Sequence, residues 1–419
     1  MHGLRPDARR ILAVQAARAV VYGLGAVVIG SSLARGGLSG THVGIVLTAM
    51  LAGTALASVL LGRYGDRIGR RRCYRLLLVL MGVAGTVFAL TDSLPALVLV
   101  GLTGTLSVEV VESGPFTTLE QAMLPNTGSD VTRLFGTYNT VATLAGSAGA
   151  LIALAGSSPR WLLAYPLAAG VGLLATARLS TAVDYRAGAG SDAPRALHRS
   201  RSNVMKMAAL FALDSFGGGF IPQTFIAYLL TRKYGASPEA LGALFFAIGI
   251  LQAVSFQAAV RIAGRFGLLR TMVFTHLPSN LLLIGVAFAP NLASAVALLL
   301  ARFAVSQMDV PARQAFVVAV VEPGERTAAV AYTNTARYLT RPIAPIAAGA
   351  ALRAGFGVPF LLAGVLKTVY DLGLYVAFRN TALDTSPSPE APSDVLDAAD
   401  VVGLVGANLG ADRGQELLE

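Results

Sequence analysis

The chain has 419 residues, of which 54% are hydrophobic and only 13% carry a charge, and its mean hydropathy is +0.64. A soluble protein carries about 25% charged residues, so this composition excludes a water-soluble globular protein and predicts a membrane protein. The net charge is +10, but the basic residues concentrate in short loops between apolar runs, which favours membrane orientation over nucleic-acid binding. Cys73 is the single cysteine, so no internal disulfide can form.

Twelve apolar runs follow one another along the chain, each near the length of about 20 residues that spans a bilayer. The first run is too long and too glycine-rich at its end for a cleaved signal peptide, so we expect it to stay as a helix. The predicted fold class is an all-α integral membrane protein with twelve transmembrane helices. The predicted helices are 11–33, 43–61, 74–90, 96–116, 134–155, 161–183, 205–230, 241–260, 272–289, 292–318, 328–352 and 358–378.

A stretch without apolar periodicity divides the helices into two sets of six. Residues 184–203 are rich in Gly, Ala, Arg and Ser, which indicates a cytoplasmic linker. It separates an N-terminal six-helix bundle, residues 1–183, from a C-terminal six-helix bundle, residues 204–379. Residues 380–419 hold a Ser-Pro-Ser-Pro stretch and eight acidic side chains against one arginine, so we expect a disordered acidic tail in the cytoplasm.

The basic residues predict the orientation. With both termini in the cytoplasm, the cytoplasmic loops collect most of the arginines, including the six from Arg63 to Arg75. The loops between helices three and four and between helices nine and ten contain no basic residue, as expected on the outer face. Arginine far outnumbers lysine, which is typical of a GC-rich bacterial genome. The expected location is therefore the bacterial cytoplasmic membrane, crossed many times by one monomeric chain.

The turn between the second and third runs carries the most specific motif, Gly62-Arg63-Tyr64-Gly65-Asp66-Arg67-Ile68-Gly69-Arg70-Arg71-Arg72. Glycines permit the sharp reversal, and arginines hold it at an anionic membrane surface. The pattern Gly-x-x-x-Asp-Arg-x-Gly-Arg-Arg resembles the signature loop of the major facilitator superfamily of transporters. The resemblance covers about residues 5–380 and implies two pseudo-symmetric six-helix bundles.

The resemblance also implies a gating role for this loop, which includes Gly62 and Gly69. In the superfamily the acid equivalent to Asp66 bridges the two halves and helps to close the cytoplasmic side, here with Arg67, Arg70 and Arg71 as nearby partners. The alternative is that the arginines only anchor the loop at lipid headgroups, and we favour this alternative for Arg72 and Arg75.

A weak internal repeat supports two parallel halves. Gly62-Arg63-Tyr64-Gly65 is echoed by Gly264-Arg265-Phe266-Gly267 at an offset of 202, with Leu268 where Asp66 would stand. Glu120-Gln121-Ala122 is echoed by Arg313-Gln314-Ala315 at an offset of 193, and Tyr138-Asn139-Thr140 by Thr333-Asn334-Thr335 at an offset of 195. Each match falls at the same end of the corresponding helix.

Ionisable residues inside the predicted helices are the functional candidates, because a charge at membrane depth costs about 3 kcal/mol on insertion scales. In the superfamily, helices one, four, seven and ten line the central cavity, and six of the charges fall there. These six predict the substrate or proton pathway: Arg18, Glu109, Glu112, Asp214, Arg302 and Asp309. Four more lie in helices eleven and twelve: Arg337, Arg341, Lys367 and Asp371.

The repeat relates four of these charges, since Arg18 plus 196 gives Asp214 and Glu109 plus 193 gives Arg302. We hypothesise that the four form charge pairs across the cavity that rearrange as the halves rock, so that the cavity binds a charged substrate or a proton. The equally weighted alternative is a permanent ion-pair network that holds the halves together. Glu109 and Glu112 share a helix face and suit a proton site.

Local pairing is the simpler interpretation of charges four residues apart on one helix. It predicts an ion pair between Asp309 and Arg313, and a structural pair between Lys367 and Asp371. The prolines beside Arg341 predict a break in helix eleven, either a hinge or a static kink.

The predicted function is secondary active transport of a small organic solute by alternating access, through proton-coupled export by antiport. The sequence has no phosphate-binding loop, no nucleophile elbow and no metal-ligand spacing, so we expect no enzymatic activity, no metal and no cofactor, with the proton gradient as the energy source. Helix five lacks the Gly-Pro signature of many drug exporters, so uptake by symport and facilitated diffusion stay open. A non-transporting membrane sensor or assembly partner is the alternative of another class. The expected partners are the lipid bilayer and the small-molecule substrate.

Overall fold

A computed structural model describes residues 5–109, 114–124, 131–156, 158–184, 199–322 and 325–381. All regular structure in these ranges is helical. They belong to one unit of the chain, Met1–Ala382, whereas the second unit, Leu383–Glu419, lies outside the described residues together with the predicted acidic tail. The linker is described only at its two ends.

The helices follow the predicted runs with several interruptions. The first half contains α1 (Pro6–Arg35), α2 (Gly40–Ile68), α3 (Arg70–Leu90), α4 (Leu94–Gly101), α5 (Pro115–Met123), α6 (Val131–Leu151) and α7 (Ala164–Ala177). The second half contains α8 (Arg201–Gly219), α9 (Gln223–Tyr234), α10 (Pro238–Phe266), α11 (Leu268–Ala287), α12 (Leu292–Ser306), α13 (Asp309–Ala319), α14 (Arg326–Thr340), α15 (Ala344–Ala351) and α16 (Val358–Phe378).

The signature turn is a single glycine. Helix α2 continues to Ile68, Gly69 turns the chain with φ +101°, and α3 begins at the next residue. Gly267 has the same role between α10 and α11 with φ +85°, and each glycine donates its N–H to the residue four positions earlier. The prediction of an eleven-residue loop was therefore wrong, because most of the motif is helical. The repeat offset at this turn is 198 and not 202, which places Gly264 and not Leu268 opposite Asp66.

Helix four is not continuous, and this prediction was also wrong. It ends as α4 at Gly101, and residues 102–109 are non-helical before α5 begins at Pro115. Thr103 bonds the carbonyl oxygen of Val100 through its own hydroxyl at 2.6 Å, and Gly104 adopts φ +67° against the backbone of Gly53. Short polar side chains that bond their own backbone compete with the helical ladder, which explains the break.

Three further predicted helices are interrupted. Helix seven breaks between α8 and α9 at Pro222, which cannot donate to the helical ladder. Helix ten breaks at residues 307–308, and helix eleven passes through a short 3₁₀ turn, Arg341–Ile343, at Pro342. The predicted break in helix eleven is present as this kink.

Nine helical segments among the described residues are long and apolar enough to cross a membrane. The three predicted helices missing from that set are four, nine and eleven, which are the broken fourth helix, the helix with His276 and Asn280, and the helix with Arg337 and Arg341. Helix four is missing because its two described helical segments, α4 and α5, are too short to span a bilayer, whereas polar side chains lower the hydropathy of helices nine and eleven. The all-α membrane fold is confirmed, and the count of twelve crossings stays a prediction.

The two halves pack closely through glycines on one face, where α1 ends and α2 begins. A methyl group on Gly30 would overlap the carbonyl oxygen of Thr224, and one on Gly44 would overlap that of Pro345. Gly349 meets the carbonyl oxygen of Gly40 in the same way. Small residues permit such close approach in membrane helices. The halves are therefore sealed together on the face opposite the one where α1 begins.

We expect Gly349→Val to separate the halves on this face, because its side chain has no space against Gly40. The measurement is the rate at which an impermeant maleimide labels Ser31→Cys, a buried position on α1, in a Cys73→Ala background. The rate should rise at least about tenfold. Gly170→Val is the control, since no atom lies within 4 Å of a methyl group at Gly170. An unchanged labelling rate in Gly349→Val would contradict the seal.

Candidate functional site

The first charge cluster lies inside the N-terminal half around Glu120 on α5, which is fully buried. Arg18 on α1 donates Nη2–H to Glu120 Oε2 at 2.7 Å, and the hydroxyl of Tyr138 donates to the same oxygen at 2.5 Å. Tyr74 donates to Oε1 at 2.6 Å. The Arg18 guanidinium also lies 4.6 Å from the ring centroid of Phe116. Glu120 therefore has one charged partner and two hydroxyl donors, all within the N-terminal half.

The second cluster lies inside the C-terminal half around Asp214 on α8. Lys367 on α16 donates Nζ–H to Asp214 Oδ1 at 2.6 Å, and Arg313 on α13 donates to Oδ2 at 3.3 Å. Arg313 also donates to Asp309 at 3.1 Å, which is the local pair that the spacing predicts. All four side chains are buried.

The two clusters are related by the internal repeat with their charges exchanged. Arg18 corresponds to Asp214 and Glu120 corresponds to Arg313, so each half joins its first helix to the second segment of its fourth helix by an ion pair. For Arg18 and Asp214, the ion pairs in this structure differ from the hypothesis that the four charges pair across the cavity. Each of these charges instead has a partner in its own half.

A different charge does pair across the halves. Glu109 accepts a hydrogen bond from Nη2–H of Arg341, and not from Arg302 as hypothesised. The Glu109 and Arg341 side chains are 32% and 26% exposed, so open space adjoins the pair. Glu109 stands at the end of the non-helical stretch after α4, and Arg341 stands at the break between α14 and α15.

The backbone around this pair joins the helix breaks together. The Val108 carbonyl oxygen accepts from both the backbone N–H and the hydroxyl of Thr224 at 3.0 Å, and the Thr105 carbonyl accepts from the Tyr22 hydroxyl at 2.8 Å. Gly219, at the end of α8, packs on the Arg341 carbonyl. Non-helical backbone at membrane depth is tolerated where other protein groups satisfy it. The breaks of helices four, seven and eleven therefore meet at Glu109 and Arg341.

Lys367 and Asp371 do not form the predicted structural pair. Lys367 binds Asp214, whereas Asp371 accepts from Asn280 at 2.7 Å and lies 3.0 Å from Nδ1 of His276. Both residues are buried on α16, where Lys367 faces α8 and Asp371 faces α11. His276 and Asn280 are isolated polar residues on helix nine, so the sequence gives no signal that they contact Asp371.

The gating motif is partly outside the described residues. The side chain of Asp66 lies outside them, as does Glu112 as a whole, and Gly62 is known only as part of α2. Arg67 is exposed, and Arg70 begins α3. Arg71 binds Asp184, the first residue of the predicted linker, through Nε–H at 2.5 Å and through its backbone N–H at 3.0 Å. It also donates to the Leu179 carbonyl at 3.2 Å, so this arginine is held at the end of the N-terminal half.

Arg75, expected to anchor at lipid headgroups, donates instead to the Thr176 carbonyl at 3.0 Å. Among the residues that the structure describes, no group of His, Cys, Asp and Glu is arranged to hold a metal ion.

The functional residue that sequence reasoning missed is Glu120, with its tyrosines Tyr74 and Tyr138. The repeat had already matched Glu120 to Arg313, and an acid that is echoed by a base is a signal of a charge site. In the sequence this match supports only the repeat, because nothing there shows that Arg18 lies beside Glu120.

Comparison with known proteins agrees with this architecture. Residues 11–213 match the family model of the Major Facilitator Superfamily. The N-terminal half of this chain is therefore similar to the Major Facilitator Superfamily.

Other similar proteins cover nearly the whole length of this chain. An uncharacterized membrane protein of Saccharomyces cerevisiae, YJR124C, is 25% identical over 409 residues, which are 86% of this chain and 91% of that protein. The nucleoside transporter NupG has a TM-score of 0.71 at 14% identity, covering 89% of this chain and 99% of that chain. A D-xylose–proton symporter has a TM-score of 0.66 at 15% identity, covering 88% and 97%. At these identities the structural likeness shows the fold alone.

We expect Glu120→Leu to lower the stability by about 3 kcal/mol or more, because it leaves the buried Arg18 without its carboxylate. The double variant Arg18→Met with Glu120→Leu should recover most of the loss, since no charge then needs a partner. Thermal unfolding in detergent measures both.

Glu322→Gln is the matched control, since its pair with Arg199 is 50% and 82% exposed and is worth about 1 kcal/mol or less. A double variant as unstable as the single variant would contradict this assignment of the pair.

Proposed function

We propose that this chain is a secondary transporter that moves a small organic solute across the membrane by alternating access. The observation that carries the proposal is the ion pair between Glu109 and Arg341, which joins the two halves at the point where three helix breaks meet. Interrupted helices place polar groups of a transporter at the interface of its two repeats. Rocking of one half against the other must break this pair and form it again.

The glycine contacts support one end state of this cycle. With the termini in the cytoplasm, as the arginine distribution indicates, the sealed face is the outer one. Open space adjoins Glu109 and Arg341 although that face is sealed. The arrangement suits a carrier closed to the outside, in a monomer with both termini in the cytoplasm of a bacterium.

We propose that Glu109 carries the coupling proton. Asp214 is buried between two cations, and the buried Glu120 is bonded by Arg18 and two tyrosines, so both carboxylates have their partners inside their own half. Glu109 has one arginine partner that belongs to the other half, and it is the most exposed of the three. The fold accommodates proton coupling, since one similar structure is a D-xylose–proton symporter.

The charge of the solute decides the direction of coupling. A cationic solute competes with the proton for Glu109, which gives antiport and hence export, the direction predicted from the sequence. An anionic solute competes with Glu109 for Arg341 and frees the carboxylate to take a proton, which gives symport and hence uptake. Symport is the second candidate. It is favoured by Arg302 and Arg337, which have no carboxylate partner among the described residues and could bind an anionic solute.

The experiment is a panel of solutes on reconstituted vesicles that contain a pH-sensitive dye. We expect solute movement with a change of internal pH in the wild type. Glu109→Gln should lose the pH change and keep solute exchange at equal pH, because the glutamine cannot carry the proton. Glu239→Gln, an acid at the start of α10, is the control and should behave as the wild type.

The alternative of a non-transporting sensor gives different results in the same vesicles. A wild-type protein that moves no solute of the panel would contradict the transporter proposal. Full proton coupling in Glu109→Gln would contradict the assignment of the proton site. Deletion of residues 381–419 should leave transport intact, whereas a partner-dependent sensor would lose its activity with this tail.

A further inference from the structure

The breaks of helices four, seven and eleven meet at Glu109 and Arg341. The C-terminal half supplies more positive charge to this junction than the described carboxylates neutralise. Lys367 and Arg313 bind Asp214 and Asp309, and Arg341 binds Glu109. Within the described ranges, neither Arg302 nor Arg337 has a carboxylate oxygen within 4 Å.

Arg302 and Arg337 nevertheless belong to this cluster. Arg302 interacts electrostatically with the carboxylates of Asp214, Glu109 and Asp309. Arg337 is repelled most strongly by Arg313 and also by Arg341, which lies one turn further along the same polar stretch, and it is attracted by Asp214 and Asp309. Both arginines are therefore held near the shared carboxylates without binding them.

Burial makes this surplus costly. Arg302 is only 7% exposed, and its guanidinium lies 4.6 Å from the ring centroid of Phe303. A buried charge in a membrane protein is normally paired, and an unpaired one marks a functional site. An aromatic face offsets part of the cost but supplies no hydrogen-bond acceptor.

Hydrogen-bond donors in the same region have no acceptor either. In the described part of the chain, Nε of Arg302, Nε of Arg337 and Nε of Arg341 are buried without a partner. The hydroxyl of Ser306, one turn after Arg302 on α12, is buried without a partner as well. Unsatisfied buried donors need an explanation, and an oxyanion would supply acceptors of the kind that these donors lack. The planar guanidinium fork matches the two oxygens of a carboxylate or phosphate.

We propose that the transported solute is a small organic anion whose carboxylate or phosphate binds Arg302 and Arg337 and competes with Glu109 for Arg341. The inference rests on the proposed function, because it names the substrate class of that same site. It also selects symport as the sign of coupling, since the anion frees Glu109 to take a proton.

The test uses matched compounds in detergent without anionic lipid: benzoate and phenyl phosphate as anions, benzamide as the neutral analogue and benzylammonium as the cation, with acetate, succinate and inorganic phosphate added to vary size. We expect anions alone to raise the unfolding temperature in a saturable manner. Saturable stabilisation by the neutral or cationic compounds, or by none of the set, would overturn the proposal. A second arm adds phosphatidylglycerol, and loss of the anion effect only in that arm would identify a competing lipid headgroup.

Variants separate binding from a structural role. Arg302→Met should weaken anion binding at least about tenfold, the loss expected for a charged hydrogen bond, and should leave the unliganded protein at least as stable as the wild type. Arg302→Lys should retain part of the binding. Arg353→Gln, an exposed arginine, is the control and should bind as the wild type. A destabilised Arg302→Met protein with unchanged anion binding would show that Arg302 is structural and would overturn the proposal.

The vesicle experiment distinguishes this inference from the proposed function. Anion binding without movement across the membrane would leave the binding site and contradict transport. Movement of neutral or cationic solutes, with no effect of Arg302→Met, would leave the transporter and contradict the anion site.

Discussion

The ion pair between Arg18 and Glu120 fixes the first helix of the N-terminal half against the second segment of its fourth helix, and Asp214 with Arg313 does the same in the C-terminal half. A charge at membrane depth must be neutralised by whatever lies beside it, so each pair sets the position of two helices at once. Because both pairs are internal, each half can keep these paired charges satisfied while it moves relative to the other.

What remains between the halves is of two kinds. Glycine contacts such as Gly349 against Gly40 seal one face by shape, and the Glu109–Arg341 pair joins the interior by charge. The first kind depends on close packing alone and carries no information about protons or solutes. The second kind responds to both, since a proton or an ion can replace either partner. In the proposed cycle, the glycine contacts close one face, and the Glu109–Arg341 pair is the separate contact that responds to the proton and the solute.

Much of the helix arrangement could be predicted from the sequence because apolar runs and the internal repeat are local patterns. Apolar runs give the helices, and the match of Glu120 to Arg313 is visible in the repeat. The failures are tertiary or local-competition effects. The apolar run 96–116 does not show that Gly104 will pack against Gly53 and end the helix. Identical letters gave the repeat an offset of 202, although the turning glycines Gly69 and Gly267 set it at 198. Partners such as Arg18 and Glu120, 102 residues apart, leave no trace in spacing.

Charges at corresponding positions of the two halves have opposite sign, so one side of the junction carries a carboxylate and the other side carries arginines. Glu109 in the first half corresponds to Arg302 in the second, so the proton site and the surplus cations come from opposite sides of the interface. A monoanion at the arginines and a proton on Glu109 together add no net charge to the carrier. Moving one elementary charge through the membrane potential costs about 2.3 kcal/mol per 100 mV. The loaded and the empty carrier would then have the same charge, so the membrane voltage would do no net work over a full cycle and the proton gradient alone would drive the solute.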